Sequence, residues 1–203
     1  MSDNPLLLLI VGAGALYLGK LWRDDLRSRR AGRPNPRALP GATHAPRVAN
    51  VIAALGALLL LLVETVGEHL LGISAEQSTI TWLFAAYTLV APIIEELIFR
   101  GYLVIEHRGR NARWIGILVA SAFFALIHAH LFDWGDNGFA LTLTAKGFFT
   151  TGILFATSVW LYYTRFASWN PAHSLLPCIV AHAAKNAGVI VIKASTGFIS
   201  GAW

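Results

Sequence analysis

Six continuous apolar runs constrain this chain more than any other feature. They cover residues 5–21, 48–66, 79–104, 114–132, 147–163 and 175–192. About 20 apolar residues carry a helix through the hydrocarbon of a bilayer, and inside lipid a segment has to satisfy its own backbone polar groups. The runs do not alternate and are too long for the dyad-repeat strands of an outer-membrane barrel. The expected fold is therefore all-α, a polytopic membrane helix bundle of about six transmembrane helices. Apolar residues make up 56% of the 203, above the roughly 45–50% of a soluble domain. Too little chain lies outside the runs for a second soluble domain, and no internal repeat is visible, so 1–203 reads as a single integral-membrane domain.

The charges fix an expected orientation. The stretch "KLWRDDLRSRRAGRPNPR" follows the first run and "EHRGRNAR" follows the third, whereas "GEHLLGISAEQS" and "DWGDNG" are acidic or neutral. Short basic loops stay in the cytoplasm. Loops 20–47 and 105–113 are thus expected to be cytoplasmic, with both termini on the opposite side and Lys146 the only base of the two intervening connections; Arg165 falls on the cytoplasmic side. The basic loop reads as a topology signal, with no nucleic-acid partner. "MSDN" before the first run lacks the positive region of a signal peptide, so that run is expected to stay as a helix. With no transit-like leader and a compact design, the expected setting is a prokaryotic plasma membrane. Cys178, the one cysteine, reads as a packed thiol within a span.

The stretch "APIIEELIFRGYL" contradicts its surroundings, because a charged side chain at the centre of a spanning helix costs about 2.5–3.5 kcal/mol on insertion scales. Glu96 and Arg100 are spaced i, i+4 and can neutralise each other. Glu95 points about 100° away and needs another partner or a wet cavity. Pro92, one turn earlier, removes a helical hydrogen bond and is expected to bend the helix beside the glutamates. Two other runs offer partners. Phe124 and His128 in "SAFFALIHAHL" share a helix face, as do His182 and Asn186 in "CIVAHAAKNAG". His130, about 200° from His128 on a helix, reads as an interfacial residue and is set aside. Counting about 1.5 Å of rise per residue from the cytoplasmic ends places Glu95, His128, His182 and Asn186 in one middle layer, roughly 12–21 Å deep.

A carboxylate, two imidazoles and a carboxamide in a low-dielectric cavity are the parts needed to hydrolyse an amide with water. Glu95 would serve as general base, His128 would help to hold the water, and His182 with Asn186 would offer hydrogen bonds to the oxyanion. One Glu and two His also form a zinc ligand set; no H-E-x-x-H is present, and spacing alone leaves zinc open as the alternative to a cofactor-free site. No G-x-S-x-G is present, and Cys178 has no base on its face. A proton or ion relay through Glu95, Glu96 and His128 is the transporter alternative, which gives no reason for Asn186.

"EELIFRG" (95–101), "FALIH" (124–128) and "HAAKN" (182–186), in that order on three separate runs, resemble the E-E-x-x-x-R, F-x-x-x-H and H-x-x-x-N motifs of the CPBP family. That family comprises type II CAAX prenyl endopeptidases and bacteriocin-processing or self-immunity proteins. The resemblance covers 92–186, the expected catalytic core, and leaves the first two runs without a motif. It implies an intramembrane glutamic endopeptidase that works without a metal. Glu95 and His128 would activate water, His182 and Asn186 would form the oxyanion hole, and Glu96, Arg100 and Phe124 would support the site. The implied partners are the bilayer and a peptide or protein substrate with a membrane-associated C-terminal tail. The chain is shorter than the eukaryotic CAAX enzymes, which bears on the prenylated CAAX substrate and leaves the catalytic assignment untouched; a non-catalytic membrane-binding or bacteriocin-immunity protein is the alternative reading.

Among the remaining polar residues, Glu64, Glu68 and His69 read as interfacial. Lys185 reads as a counter-charge, paired with Glu96 or reaching a wet cavity. Trp22, Trp114 and Trp169 read as interface anchors, and Gly12, Gly14, Gly116 and Gly152 as sites of close helix contact.

Overall fold

A computed structural model describes residues 4–128, 130–135 and 138–203, so the acidic stretch "DWGDNG" lies partly outside the described residues. Six α-helices follow one another among them: α1 (Pro5–Arg30), α2 (Arg47–Leu70), α3 (Trp82–Glu96), α4 (Gly109–Leu126), α5 (Ala145–Phe166) and α6 (Leu176–Ser195). The bundle is all-α in its body, as the apolar runs predict. Four helical stretches are long and apolar enough to cross a membrane, namely Pro5–Arg30, Arg47–Leu70, Trp82–Tyr102 and Leu176–Ser195. The expected count of six spans is therefore met by four on length and composition. α4 gives its first turns to Arg110 and Arg113, and α5 mixes Lys146 and Arg165 with Thr, Ser and Tyr.

The fourth apolar run, 114–132, is broken at its end. α4 stops at Leu126, and beyond it a small antiparallel hairpin pairs β1 (Phe132–Gly135) with β2 (Gly138–Leu141). Apolar composition cannot distinguish a last helical turn from a short strand. The hairpin belongs to a connection and leaves the bundle helical.

Local chemistry sets the helix ends. Asn4 accepts from the Leu6 and Leu7 amides with Pro5 in the first turn of α1, and Thr81 and Thr144 cap α3 and α5 through their hydroxyls. α3 receives a second cap from far along the chain. The amides of Trp82 and Leu83 donate to the carbonyls of Gly201 and Ala202 at 3.2 and 2.9 Å, and Ile80 pairs in parallel with Ile199. After Glu96 the helix widens into a π-helix, Leu97–Tyr102. The backbone departs from α-geometry at the glutamates, as Pro92 leads one to expect, but as a loosened turn one turn further on.

α6 lies centrally, against α2, α3 and α5, while α1 packs on α3 and α4 on α5. The end of the bundle bearing the two basic loops has its own core. Trp22, Leu26, Ala42, Leu97, Leu175 and Cys178 form one buried cluster there, and the segment 31–46 folds back over it. Trp22 donates through its indole to Pro40 O, Leu175 N to Gly41 O, and Ser174 Oγ to Thr43 O. Gly41 has φ of +60°, and a Cβ there would meet Leu175 Cγ at 2.6 Å, so the close approach requires glycine. Trp22 is thus a core residue rather than an interface anchor. The sequence cannot show that a loop returns to cover it. Trp169 packs against a second buried cluster, and Trp114 alone of the three is well exposed. Cys178 is fully buried, accepting from Thr164 Oγ1 and donating to Leu161 O.

Close helix contacts fall at other glycines than those expected. Gly14 and Gly152 face open space, and Gly12 makes only ordinary contacts, whereas Gly116 lies tight against Ile105. The tightest approaches between helices are Gly56 against the Trp160 ring, Gly67 against Phe149 and Gly188 against Leu61. The sequence holds no information on which neighbour each helix face meets, so the contacting glycines could not be picked from it.

Candidate active site

Glu96 and Arg100 are the most buried charges of the site, both at 0% exposure. They pair as their spacing predicts, Arg100 Nη1 donating to Glu96 Oε1 at 3.1 Å. Arg100 Nη2 donates to Ser158 Oγ at 2.6 Å and to Ser158 O at 3.2 Å, and Ser158 Oγ in turn donates to Ser121. The guanidinium lies over three rings, 4.7 Å from the Phe124 centroid, 4.9 Å from Tyr162 and 5.7 Å from Phe99. Tyr162 donates to the carbonyls of Phe99 and Leu103, two of the acceptors that the π-helix leaves over. Arg100 is therefore locked from α4, α5 and its own helix, and with it the carboxylate of Glu96.

Glu96 passes that rigidity on. Its Oε1 also lies 2.8 Å from His182 Nδ1. A carboxylate only accepts, so Nδ1 carries the proton and donates. His182 Nε2 then points at Glu95, 3.8 Å from Oε2. His182 is thus held between the two glutamates, a bridge that the sequence reading, which gave it only an oxyanion contact, did not foresee. Glu95 is otherwise little engaged: its side chain is 30% exposed, and Oε2 accepts no hydrogen bond among the described residues.

Asn186, one turn beyond His182, donates through Nδ2 to Thr88 O at 2.8 Å. That carbonyl is free because the residue four positions on is Pro92, which has no N–H to give it. The proline thereby supplies the anchor for the carboxamide, with one N–H of Asn186 still available. Thr88 was not singled out from sequence, although the i, i+4 relation to Pro92 names its carbonyl as the orphan.

His128 sits just past the end of α4, with Nδ1 donating to Phe124 O at 2.7 Å, which leaves Nε2 as its acceptor. Phe124, 2% exposed, stacks on His128 at 4.6 Å and stands edge-on to His182 at 6.3 Å. Glu95, His128, His182, Asn186 and Phe124 all line one cavity of about 380 Å³. Other polar residues meet the structure there. His130, set aside by helical angle, also lines the cavity; α4 has ended before it, so the angle does not apply. Lys185 is a counter-charge that reaches the cavity, the second of its two expected placements, and its partner there is Glu64, at 2.6 Å, not Glu96. Glu64 thus lines the cavity wall as a paired residue, and Glu68, about 9% exposed, accepts from Gln77 on the same cavity. Their partners lie outside their own helices, Lys185 on α6 and Gln77 in the connection after α2, where spacing within one helix does not reach.

Among the described residues, no group of three His, Cys, Asp or Glu side chains is gathered in a way that could hold a metal ion. The arrangement is that of a partly open carboxylate facing a fixed imidazole, with an imidazole acceptor and an amide donor around the same space.

Residues 77–188, more than half the chain, match the family described as type II CAAX prenyl endopeptidase Rce1-like. No curated protein and no solved structure matches the chain. The matched stretch contains all three motifs and every side chain just described from α3, α4 and α6. The chain is a membrane protein that belongs to the type II CAAX prenyl endopeptidase Rce1-like family, a family of proteases.

Proposed function

We propose that the chain is an intramembrane endopeptidase that uses Glu95 to activate water against a peptide bond of a membrane-associated substrate. The observation that carries this reading is the contrast between neighbours. Glu96 is 0% exposed with its Oε1 bonded to both Arg100 and His182, while the Glu95 side chain is 30% exposed and lines the cavity beside His128, His182 and Asn186. A general base has to be accessible to the proton that it takes.

In this mechanism a water donates one hydrogen to Glu95 and the other to Nε2 of His128, which turns an oxygen lone pair toward the substrate carbonyl. As the C–O bond forms, Glu95 takes the proton. The oxyanion accepts from the free N–H of Asn186 and, when the ring carries a proton on both nitrogens, from His182 Nε2. Collapse breaks the C–N bond, and Glu95 returns its proton to the departing amine. No residue is covalently modified. The likeness to CAAX endopeptidases supports a substrate with a membrane-associated C-terminal tail, and the basic loops support a cytoplasmic placement of 20–47 and 105–113.

The test is cleavage of quenched fluorescent CAAX-type peptides, prenylated and unprenylated, by purified protein in detergent, with Glu95→Gln beside it and both repeated in chelator. Activity lost in the variant and kept in chelator is the expected result. Loss in chelator would move the reading to zinc, and cleavage by Glu95→Gln at the wild-type rate would overturn it.

A further inference from the structure

A second cavity, of about 480 Å³, lies at the end of the bundle that bears the basic loops. It shares no lining residue with the cavity that holds Glu95. The last turns of α1 form one side and the first turn of α6 another, and Ile93 of α3 completes the lining. Trp22, Leu26, Ile93, Leu176 and Ile179 make that lining largely apolar. At the end nearer the middle of α1, Gly19 lies against Ile93, whose Cδ1 a Cβ would meet at 3.0 Å.

Three arginines stand along the same cavity. Arg23, Arg27 and Arg30 are spaced i, i+4, i+7, which gathers them within about 60° around α1 in a ladder roughly 10 Å long. All three are exposed, and neither Arg23 nor Arg30 forms an ion pair among the described residues. Arg27 has only Asp24 Oδ1, at 3.9 Å, an acid whose other oxygen is held by Lys20 at 2.8 Å. Residues 5–22 contain one charged side chain, Lys20, whereas 23–30 contain six. The cavity therefore straddles the level at which hydrocarbon gives way to headgroups.

We infer that this cavity is a binding site for an anionic phospholipid of the leaflet on the basic-loop side. Its phosphate lies against Arg23, Arg27 and Arg30, and its acyl chain follows Trp22, Ile93, Leu176 and Ile179 toward the bilayer centre. Guanidinium forks bond phosphate oxygens in pairs, and basic pockets between spanning helices hold anionic headgroups. A topology signal needs basic charge in a loop, but neither a cavity nor an apolar lining beneath the charges. Free phosphate would use the arginines and leave the apolar lining without a partner; a neutral prenyl chain would do the reverse. Arg29, Arg33 and Arg37 are exposed on the same segment and lie outside the cavity, so place can be separated from charge. Binding here is independent of the proteolytic reading, and cleavage is not its readout.

The test titrates delipidated protein in detergent with phosphatidylglycerol and, separately, with phosphatidylcholine of the same chains, counting bound lipid by native mass spectrometry. One phosphatidylglycerol should bind with a Kd about tenfold or more below that of phosphatidylcholine. A basic residue near an anionic surface is worth about fivefold. The triple variant Arg23→Gln, Arg27→Gln, Arg30→Gln should therefore raise the phosphatidylglycerol Kd on the order of 10²-fold. The triple variant Arg29→Gln, Arg33→Gln, Arg37→Gln, equal to it in net charge, should leave that Kd within about twofold. If the first triple does not accumulate, Arg23→Gln alone should raise the Kd about fivefold. A smaller preference in wild type, or equal losses in the two triples, overturns the inference. So does inorganic phosphate that binds as tightly as the lipid, or a neutral prenylated peptide that displaces it.

Discussion

Adjacent glutamates that differ only in their surroundings should respond to the same substitution in opposite ways. Glu96→Gln keeps the shape and an acceptor oxygen, but it removes the negative charge that Arg100 and His182 share at 3.1 and 2.8 Å. Arg100 is then a fully buried cation without a counter-charge. Breaking a buried pair from one side costs about 3–5 kcal/mol. Ser158 and the three rings around the guanidinium remain, so the expected loss lies at the low end, about 3 kcal/mol, or on the order of 10 °C in melting temperature for a chain of this size. Glu95→Gln removes no hydrogen bond from Oε2 and leaves a side chain that is 30% exposed. Its melting temperature should stay within about 2 °C of wild type, the range of a substitution that disturbs no packed or bonded group, while hydrolysis falls by roughly 10²–10⁴, the contribution of a general base. Thermal unfolding in detergent, followed by tryptophan fluorescence, and peptide cleavage at saturating substrate read the two effects separately. A Glu96→Gln protein that melts with wild type, or a Glu95→Gln protein that melts far below it, would refute the division between a structural and a reacting carboxylate.

Pro92→Ala restores an N–H that competes with Asn186 for Thr88 O; the helix should become no less stable, since an interior proline costs ~3 kcal/mol, while turnover drops by up to about 10²-fold as the amide loses its anchor. Unchanged turnover would show that the proline serves only the backbone. Asn186→Ala should lower kcat by about 10²–10³ with little change in KM, the cost of one oxyanion donor, and steady-state kinetics on the quenched peptide decide it. Gly56→Ala drives a methyl into the Trp160 ring and should destabilise by roughly 1–3 kcal/mol. Gly152→Ala, which faces open space, should be neutral or stabilising by up to about 1 kcal/mol; equal melting temperatures for the two variants would contradict the α2–α5 contact.

What could be read from the sequence was what one helix can encode. Glu96 and Arg100 announce their pairing by spacing, Pro92 announces a free carbonyl, and the order of three motifs brings Glu95, His128, His182 and Asn186 onto one cavity wall system. Relations between helices stayed hidden. Lys185 finds Glu64 across 121 residues, and nothing in either segment names the other. Trp22 looks like an interface anchor until segment 31–46 is seen to fold over it. His130 and the hairpin after it were absorbed into a helix because Leu131 and Phe132 prolong an apolar run, and composition does not mark where α4 ends.

The cap on α3 has a consequence for the order of assembly. The amides of Trp82 and Leu83 find their acceptors on Gly201 and Ala202, and Ile80 finds its partner strand at Ile199. During synthesis, the helix that carries both glutamates therefore enters the membrane with its first turn incomplete, and it stays so until more than 110 further residues have been made. α6, which brings His182 and Asn186, arrives immediately before those capping residues. Completion of the α3 terminus and closure of the catalytic cluster thus fall in the same final step, and a chain interrupted before residue 198 carries Glu95 on a frayed helix.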